Sequence, residues 1–474
     1  MRRNTATYNF ISLLILIVSI VLLWHIPFRN FGYAALMCIN FLWILYIAWK
    51  SEHLSPFFFF LGTFVLLFIG GRFWAEILQP DHFSMRRGNF FDETRIEDGL
   101  WFQSLTYILL FLYCATLAYV NYSRKNRDKP IICYERKESL SIDRLLTFVF
   151  CVLAPFVVYD VIHRLVIALT SGYLSLYAMQ TQNVAAGSGL VASMLYVFFG
   201  IALVYGNNRT KKAFLVLMFI KAIVFIFIGQ RAKFGSLLLF FLWYFLRNKK
   251  INIIRIGLLA GGSLFLLIWL ASISIRGEAA SGISMPANIL SQFFYSQGVS
   301  LTTFTCSERI DHYPLLPYLV TFIPGVASIA SMMGSIEPYE VGFANYMAYT
   351  LDSGLYNSGH GLGWTLLSDL YLYSGRNYFL FTILSVLFGH ICAKVEDKAR
   401  TSPFVSVIVF TTFLNLTFLP RAGLYTIIPL IVWIWVVYSF IDSVSPMFRK
   451  VALYHAREEE EKSTSKQENK TEQV

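Results

Sequence analysis

The sequence predicts an all-α polytopic membrane protein with about 12 transmembrane helices, and three observations lead to this fold class. Hydrophobic residues make up 56% of the 474-residue chain and charged residues only 14%, whereas soluble domains contain about 25% charged residues. The mean hydropathy is +0.57. Apolar runs of about 20 residues recur along the chain, which is the length of a helix that crosses a bilayer. A secreted enzyme, a nucleic-acid-binding protein and a disordered scaffold are therefore excluded for the chain as a whole.

The spans follow from the apolar runs and from the turn residues between them. Arg2 and Arg3 precede the first run, but no small-residue cleavage site follows it, so we predict an uncleaved first span. The predicted spans are 8–26, 31–49, 56–78, 101–121, 145–170, 189–206, 213–229, 234–246, 253–275, 377–393, 403–419 and 424–441.

The basic residues predict the orientation of these spans. With the N-terminus inside, 26 of the 39 Lys and Arg residues lie in cytoplasmic segments, whereas ten lie in external segments and three within spans. Basic residues accumulate in cytoplasmic loops, so both termini are predicted to be cytoplasmic. The net charge of +11 is explained by the membrane and does not indicate a nucleic-acid partner.

The chain divides into four predicted regions. Residues 1–275 hold the first nine transmembrane helices, 377–445 the last three, and 446–474 form a polar, disordered cytoplasmic tail. Between them, 276–376 is a large external segment with two apolar stretches, and parity allows it zero or two crossings. Its Pro and Gly content favours re-entrant or surface-lying pieces, which survive at membrane depth only when buried in protein or lining a wet cavity.

Several charged residues lie within spans or at their ends. Insertion of an arginine at bilayer depth costs roughly 2.5–3.5 kcal/mol of free energy, so each such residue needs a partner or a function. Arg72 with Glu76, and Asp160 with Arg164, have the i,i+4 spacing of helix ion pairs. Lys221 lies near the middle of its span, where it pairs with a neighbouring acid or extends toward the membrane surface.

The six cysteines are scattered without metal or redox spacing and are interpreted as small apolar residues.

Three arginines at external turns have no acid at helical spacing: Arg231, Arg276 and Arg421. One interpretation is that they anchor the helix ends to lipid headgroups. The other is a shared anion site, because the planar guanidinium group binds phosphate through two parallel hydrogen bonds. Such a site suits a lipid-linked diphosphate, and Lys233 shares the turn with Arg231.

The external segment 276–376 contains no lysine and is rich in Tyr, Asn, Ser and Gly. Aromatic faces beside amide and hydroxyl groups suit a sugar, although a solvated loop has a similar composition. His360 lies between two glycines, where the backbone can approach a ligand, and can act as a general base or as an exposed turn residue. Asp369 is predicted to cap a helix or to pair with Arg376.

These residues also carry a resemblance to a known family. The run Gly229-Gln-Arg-Ala-Lys-Phe-Gly-Ser236 resembles the Gly-x-Arg turn of the O-antigen polymerases, the Wzy-type oligosaccharide repeat unit polymerases. Asp369-Leu-Tyr-Leu-Tyr-Ser-Gly375 resembles their acidic and aromatic stretch before the late spans, and Pro420-Arg-Ala-Gly423 resembles their late Arg turn. The general plan is similar over nearly the whole chain, whereas the motifs cover about 50 residues. A pair of Arg-x10-Gly elements, found in some members, is missing.

The resemblance implies a C-type, metal-independent glycosyltransferase without a cofactor in the bacterial inner membrane. It joins undecaprenyl-pyrophosphate-linked oligosaccharide repeats at the periplasmic face, with a polysaccharide chain-length regulator as partner protein. Arg231, Arg276, Arg421 and Lys233 then bind the diphosphate, and His360 and Arg276 take part in catalysis. Arg72, Arg164 and Asp369 are possible supporting residues.

Other functions remain open at this point. An O-antigen ligase uses the same donor and is poorly separated by sequence. A lipid-linked oligosaccharide flippase or another transporter needs charges through the cytoplasmic half of the membrane, whereas here only Lys221 lies deep. The sequence does not give the sugar, the linkage, the anomeric outcome or the oligomeric state.

Overall fold

The computed structural model describes residues 2–51, 54–89, 92–125, 140–172, 175–176, 186–247, 286–441 and the isolated positions 258, 261–262, 265 and 443. The predicted tail 446–474 lies outside the described residues, and so does the predicted span 253–275, apart from four of those positions.

The first part of the chain packs around one long helix, α5 (Asp98–Lys125), which contacts α1 (Arg2–His25) and α2 (Asn30–Ser51). Within this apolar group, Asn40 of α2 accepts a hydrogen bond from Tyr113 of α5 at 2.6 Å. Polar side chains that bond across helices stabilise packing where no water is present.

A broken helix follows α2. It begins with α3 (Pro56–Thr63), continues as a π-helical turn over Phe64–Phe68, and ends with α4 (Gly71–Leu78). The two halves, Pro56–Phe68 and Gly71–Leu78, are bent by 51°, so the segment predicted as the span 56–78 is a broken span or a re-entrant loop. A short antiparallel hairpin of β1 (Arg87–Asn89) and β2 (Asp92–Arg95) then precedes α5, an addition to the all-α prediction.

A second group of helices follows: α6 (Leu140–Ser171), α7 (Ala186–Tyr205), α8 (Asn208–Ile228) and α9 (Arg231–Leu246). Helix α8 begins at the N-cap Asn207, whose side chain accepts hydrogen bonds from two backbone N–H groups. It ends at Gly229, which has φ of 92°. A residue with a side chain rarely adopts this left-handed conformation, so the glycine permits the tight turn into α9.

The segment from 286 to 376 consists of short helices joined by turns. They are α10 (Pro286–Gln297), α11 (Val299–Arg309), α12 (Leu315–Val320), α13 (Val326–Met332), α14 (Phe343–Leu351), α15 (Ser353–Asn357) and α16 (Leu366–Tyr373), with a 3-10 turn over Pro338–Glu340. The apolar stretch 315–333 is divided between α12 and α13 at Pro324 and Gly325, and none of the helices described in this segment reaches the length of a span.

The bend between α3 and α4 lies where this segment crosses the first group of helices. A Cβ atom on Gly71 would overlap the backbone of Phe294, and one on Gly298 would overlap the backbone of Arg72. The two glycines therefore allow the backbones of α4 and of the junction between α10 and α11 to touch.

Three long helices complete the described chain: α17 (Tyr378–Ala399), α18 (Pro403–Phe418) and α19 (Leu424–Ile441). Helix α17 packs along α5, and a Cβ atom on Gly389 would overlap the carbonyl group of Ala115. Helix α18 packs on α7 and joins the two helix groups.

Seven of the described helices are long and apolar enough to cross a membrane, and the bent pair α3–α4 would make an eighth. Two shorter apolar helices cover Leu190–Tyr205 and Lys233–Leu246. The multi-pass helical membrane fold is thus confirmed, whereas the number of about 12 spans and the division into four regions stay predictions.

Candidate functional site

Asp369 is fully buried in α16 and accepts hydrogen bonds from three separate parts of the chain. Its Oδ1 atom accepts from the Tyr318 hydroxyl group at 2.7 Å and from Trp364 Nε1 at 2.8 Å. Its Oδ2 atom accepts from the backbone N–H of Leu424 at 2.6 Å. Burial raises the pKa of Asp369 to about 6, and the three hydrogen bonds oppose this shift by favouring the charged form. The carboxylate therefore joins α12, the loop before α16 and the first turn of α19.

This arrangement differs from both predicted roles of Asp369. The N-cap of α16 is Thr365, whose side chain accepts from Ser368 N. Arg376 pairs with Asp311 at 3.7 Å and donates to the backbone carbonyl group of that residue at 3.0 Å. The predicted pairing of Asp369 with Arg376 is thus wrong. The carboxylate is instead occupied by a hydroxyl group, an indole N–H and a backbone N–H that is 55 residues away in sequence.

The turn that carries Arg421 is held against the same segment. After α18, Leu419–Arg421 forms a 3-10 turn and the chain extends through Ala422 to Gly423. A Cβ atom on Gly423 would lie 2.9 Å from Trp364 Cδ1, which is closer than real side chains pack. The structure thereby brings Arg421, which is partly exposed, close in the fold to Trp364 and Asp369.

His360 is partly exposed in the loop before α16. Its Nδ1 atom lies 2.8 Å from the Ser358 hydroxyl oxygen, and its backbone N–H donates to Leu355 O at 3.1 Å. The neighbouring Gly359 has φ of 89° and Gly363 has φ of 81°, so the loop turns twice in conformations that favour glycine. The imidazole is thus oriented by a local hydroxyl group while remaining accessible.

A second charged group lies where α6, α8 and α9 meet. Arg164 Nε contacts both carboxylate oxygens of Asp160 at 3.0 Å, so the predicted i,i+4 ion pair is confirmed. Lys221 is buried with its ammonium group 4.7 Å from the centre of the Tyr196 ring, and Lys233 lies 5.0 Å from the centre of the Phe225 ring. Electrostatic interactions link the charges of both lysines to Asp160 and Arg164.

Of the two remaining arginines of the predicted diphosphate site, the structure describes the position of one. Arg231 is the first residue of α9, two residues after Gly229 and two residues before Lys233. Arg276 lies outside the described residues.

Arg72 has a different environment from the one predicted. Its guanidinium group donates to the backbone carbonyls of Met85 and Gly88, each at 3.3 Å, and to that of Arg87. Glu76 instead accepts from the backbone N–H of Asp81 at 3.1 Å. The predicted ion pair of Arg72 with Glu76 is therefore wrong, because the guanidinium group donates to backbone carbonyls of the hairpin instead. These hydrogen bonds hold the hairpin against α4.

Glu308 was not predicted as a candidate. It is buried in α11, where its Oε1 atom accepts from Ser104 Oγ at 2.8 Å and its Oε2 atom has no hydrogen-bond partner among the described residues. Burial raises the pKa of Glu308 well above its usual range. No local pattern in the sequence marks this residue, because its burial depends on α5, which precedes it by about 200 positions.

The described ranges contain no group of three or more His, Cys, Asp and Glu side chains that could hold a metal ion. The candidate ligand-binding groups are mainly cationic. They lie in the turns at the ends of α8 and α18 and between the apolar helices.

The fold and these groups define a multi-pass helical membrane protein with cationic side chains at turns and helix junctions. The model of the family O-antigen polysaccharide polymerase Wzy matches residues 8–451, and the chain belongs to this family. No curated protein and no solved structure matches the chain. The chain is therefore a glycosyltransferase-type enzyme that acts on lipid-linked oligosaccharide repeat units in a membrane and polymerises them into O-antigen.

Proposed function

We propose that the enzyme works without a metal at the periplasmic face of the bacterial inner membrane, with both termini in the cytoplasm. Its substrates are undecaprenyl-pyrophosphate-linked oligosaccharides, as donor and as acceptor, and a polysaccharide chain-length regulator is its partner protein. The unequal distribution of basic residues along the chain supports this orientation.

In the proposed reaction, a hydroxyl oxygen of the acceptor forms a bond to the anomeric carbon of the donor sugar. The bond from that carbon to the diphosphate breaks, and undecaprenyl pyrophosphate leaves with the electron pair. The transition state has oxocarbenium character, as in glycoside chemistry generally. His360 takes the proton of the attacking hydroxyl group, a role that suits a partly exposed imidazole oriented by Ser358.

Charge grows on the leaving diphosphate as the bond breaks, so cations held in position beside it lower the barrier. We assign this function to Arg231, Arg276, Arg421 and Lys233, with Arg276 acting directly in catalysis. Arg164 holds Asp160, and it is the negative charge of Asp160 that favours the charged form of Lys233. Asp369 positions the turn of Arg421, and Arg72 stabilises the hairpin.

The observation that carries the proposal is the attachment of the Arg421 turn to the Trp364–Asp369 segment. The close contact of Gly423 with Trp364 and the bond from Leu424 N to Asp369 fix the backbone two and three residues after this cation. A fixed cation suits catalysis because no reorganisation is needed when charge develops.

The test replaces each of the three arginines by Ala and by Lys and measures polymer formed per folded protein. Loss of one fixed cation is expected to cost roughly 3–4 kcal/mol of transition-state stabilisation, or a hundred- to thousand-fold in rate. Lys keeps the charge but loses the two-pronged hydrogen bond, so the Lys variants are expected to be impaired less. Arg95, whose side chain is 73% exposed on the hairpin, provides the matched control. The proposed group of Arg231, Arg276, Arg421 and Lys233 is called the diphosphate clamp below. Full activity of all three Lys variants would contradict it.

A further inference from the structure

Lys221 is a buried cation that the proposed clamp does not use. The residue is 4% exposed and lies in α8, almost two turns before the helix ends at Ile228. No acid among the described residues lies within ion-pair distance of its ammonium group, and the nearby Asp160 is engaged by Arg164 through both carboxylate oxygens. Aromatic rings alone compensate poorly for a charge taken out of water.

A second ammonium group lies on the same ring. Lys221 Nζ is 5.5 Å and Lys233 Nζ is 5.0 Å from the centre of the Phe225 ring. Lys233 is exposed at the start of α9, whereas Lys221 is buried below it. The two lysines therefore form a path from the surface of the helix group to its interior, with like charges that repel each other in the absence of an anion.

The surroundings also indicate what carries the anion. Helices α6 and α8 carry apolar side chains on their outer faces. Four of these side chains are 48–52% exposed: Ile162, Val166, Phe219 and Phe227. In a membrane protein such faces contact lipid tails. An anion that reaches the two lysines from this side is the head of an amphiphile.

We propose that Lys221 and Lys233 form a membrane-embedded seat for the phosphate head of a lipid, between α6, α8 and α9. Two ammonium groups match the charge of a polyprenyl diphosphate better than the single charge of a phosphodiester headgroup. Lys221 sets the depth of the head, Lys233 forms the entrance, and the tail lies along α6 and α8. Since Lys233 also belongs to the clamp, the inference rests on the proposed function where the substrate's diphosphate is concerned.

The experiment measures lipid binding without turnover, so its failure is distinct from failure of the clamp. The full chain in detergent is titrated with undecaprenyl pyrophosphate and, separately, with dioleoylphosphatidylglycerol, and native mass spectrometry and the shift of Tm report binding. We expect Lys221→Met to weaken undecaprenyl pyrophosphate binding at least tenfold and Lys233→Met to weaken it as well. Lys212→Met, at an exposed position of the same helix, is expected to bind as the wild type does.

Met replaces the buried charge with an apolar chain of similar length, so the Tm of Lys221→Met without lipid is expected to equal or exceed that of the wild type. If this variant does not fold, Lys221→Arg, which retains the charge, is expected to retain binding. Wild-type affinity of Lys221→Met, or loss of affinity in a folded Lys221→Arg, would overturn the seat. Phosphatidylglycerol binding as tight as that of the diphosphate, and equally lost in Lys221→Met, would overturn the diphosphate assignment in favour of a bilayer headgroup.

Discussion

Replacing Asp369 by Asn tests whether the buried carboxylate holds the Arg421 turn in its active position. The structure makes this substitution selective, because the two donors on Oδ1, Tyr318 and Trp364, are separate from the Leu424 N–H on Oδ2. An asparagine can keep its oxygen toward the Tyr and Trp side chains. Its NH₂ group then faces the Leu424 N–H, so the bond to the turn is lost and two donors oppose each other.

A hydrogen bond to a charged group contributes about 1.5–3 kcal/mol. If the turn is held by this bond when the diphosphate leaves, the loss corresponds to roughly a ten- to 150-fold decrease in polymerisation rate. Global stability is expected to change much less, because the substitution also removes a fully buried charge. Tyr318→Phe, which leaves the Leu424 bond in place, is expected to retain most of the activity.

The pH dependence gives this prediction a second readout. The folded-state pKa of Asp369 is raised to about 6, above the usual value of about 3.9 for an unfolded chain. The folded protein thus binds the proton more tightly, so the contribution of this group to stability is fully present below about pH 4 and is lost as the pH rises through about 6. Activity is expected to change in the opposite direction and to fall below pH 6. Asn has no such titration.

The assay compares polymer formed per folded protein with thermal unfolding over pH 4–8 in the same detergent. Asp311→Asn is the matched control, because its side chain is 85% exposed and lies in the same segment of short helices, 286–376. An Asp369→Asn protein that polymerises at the wild-type rate would refute the positioning role. A loss of activity that only follows a loss of folded protein would refute it equally.

Two further predictions concern the chemistry. His360→Ala is expected to slow polymerisation without weakening donor binding, since the imidazole is assigned to the acceptor's proton; wild-type turnover of this variant would remove His360 from the mechanism. Treatment of the purified enzyme with a chelator is expected to leave polymerisation unchanged because arginines take the role of a metal, and a loss that Mg²⁺ or Mn²⁺ restores would show the opposite.

Much of the fold follows from local sequence. Membrane helices are determined by apolar runs of sufficient length, so the spans over 8–26, 31–49, 101–121 and 403–419 correspond closely to observed helices. The ion pair of Asp160 and Arg164 was predictable for the same reason, because residues four apart on a helix are neighbours. The family resemblance, carried by short motifs around Arg231, Asp369 and Arg421, was likewise present in the sequence alone and is confirmed.

Tertiary structure decided the partners of the charged residues. Arg72 had an acid at ideal helical spacing, yet its guanidinium group donates to backbone carbonyls 13 to 16 residues away, in and just before the hairpin. Asp369 bonds to donors up to 55 residues away, and Glu308 meets Ser104 across 204 residues. A buried polar group bonds to whichever donor the packing brings within about 3 Å, and sequence spacing does not encode that distance. The sequence by itself therefore determined which segments form long apolar helices, and only the packing of those helices decided which side chains meet.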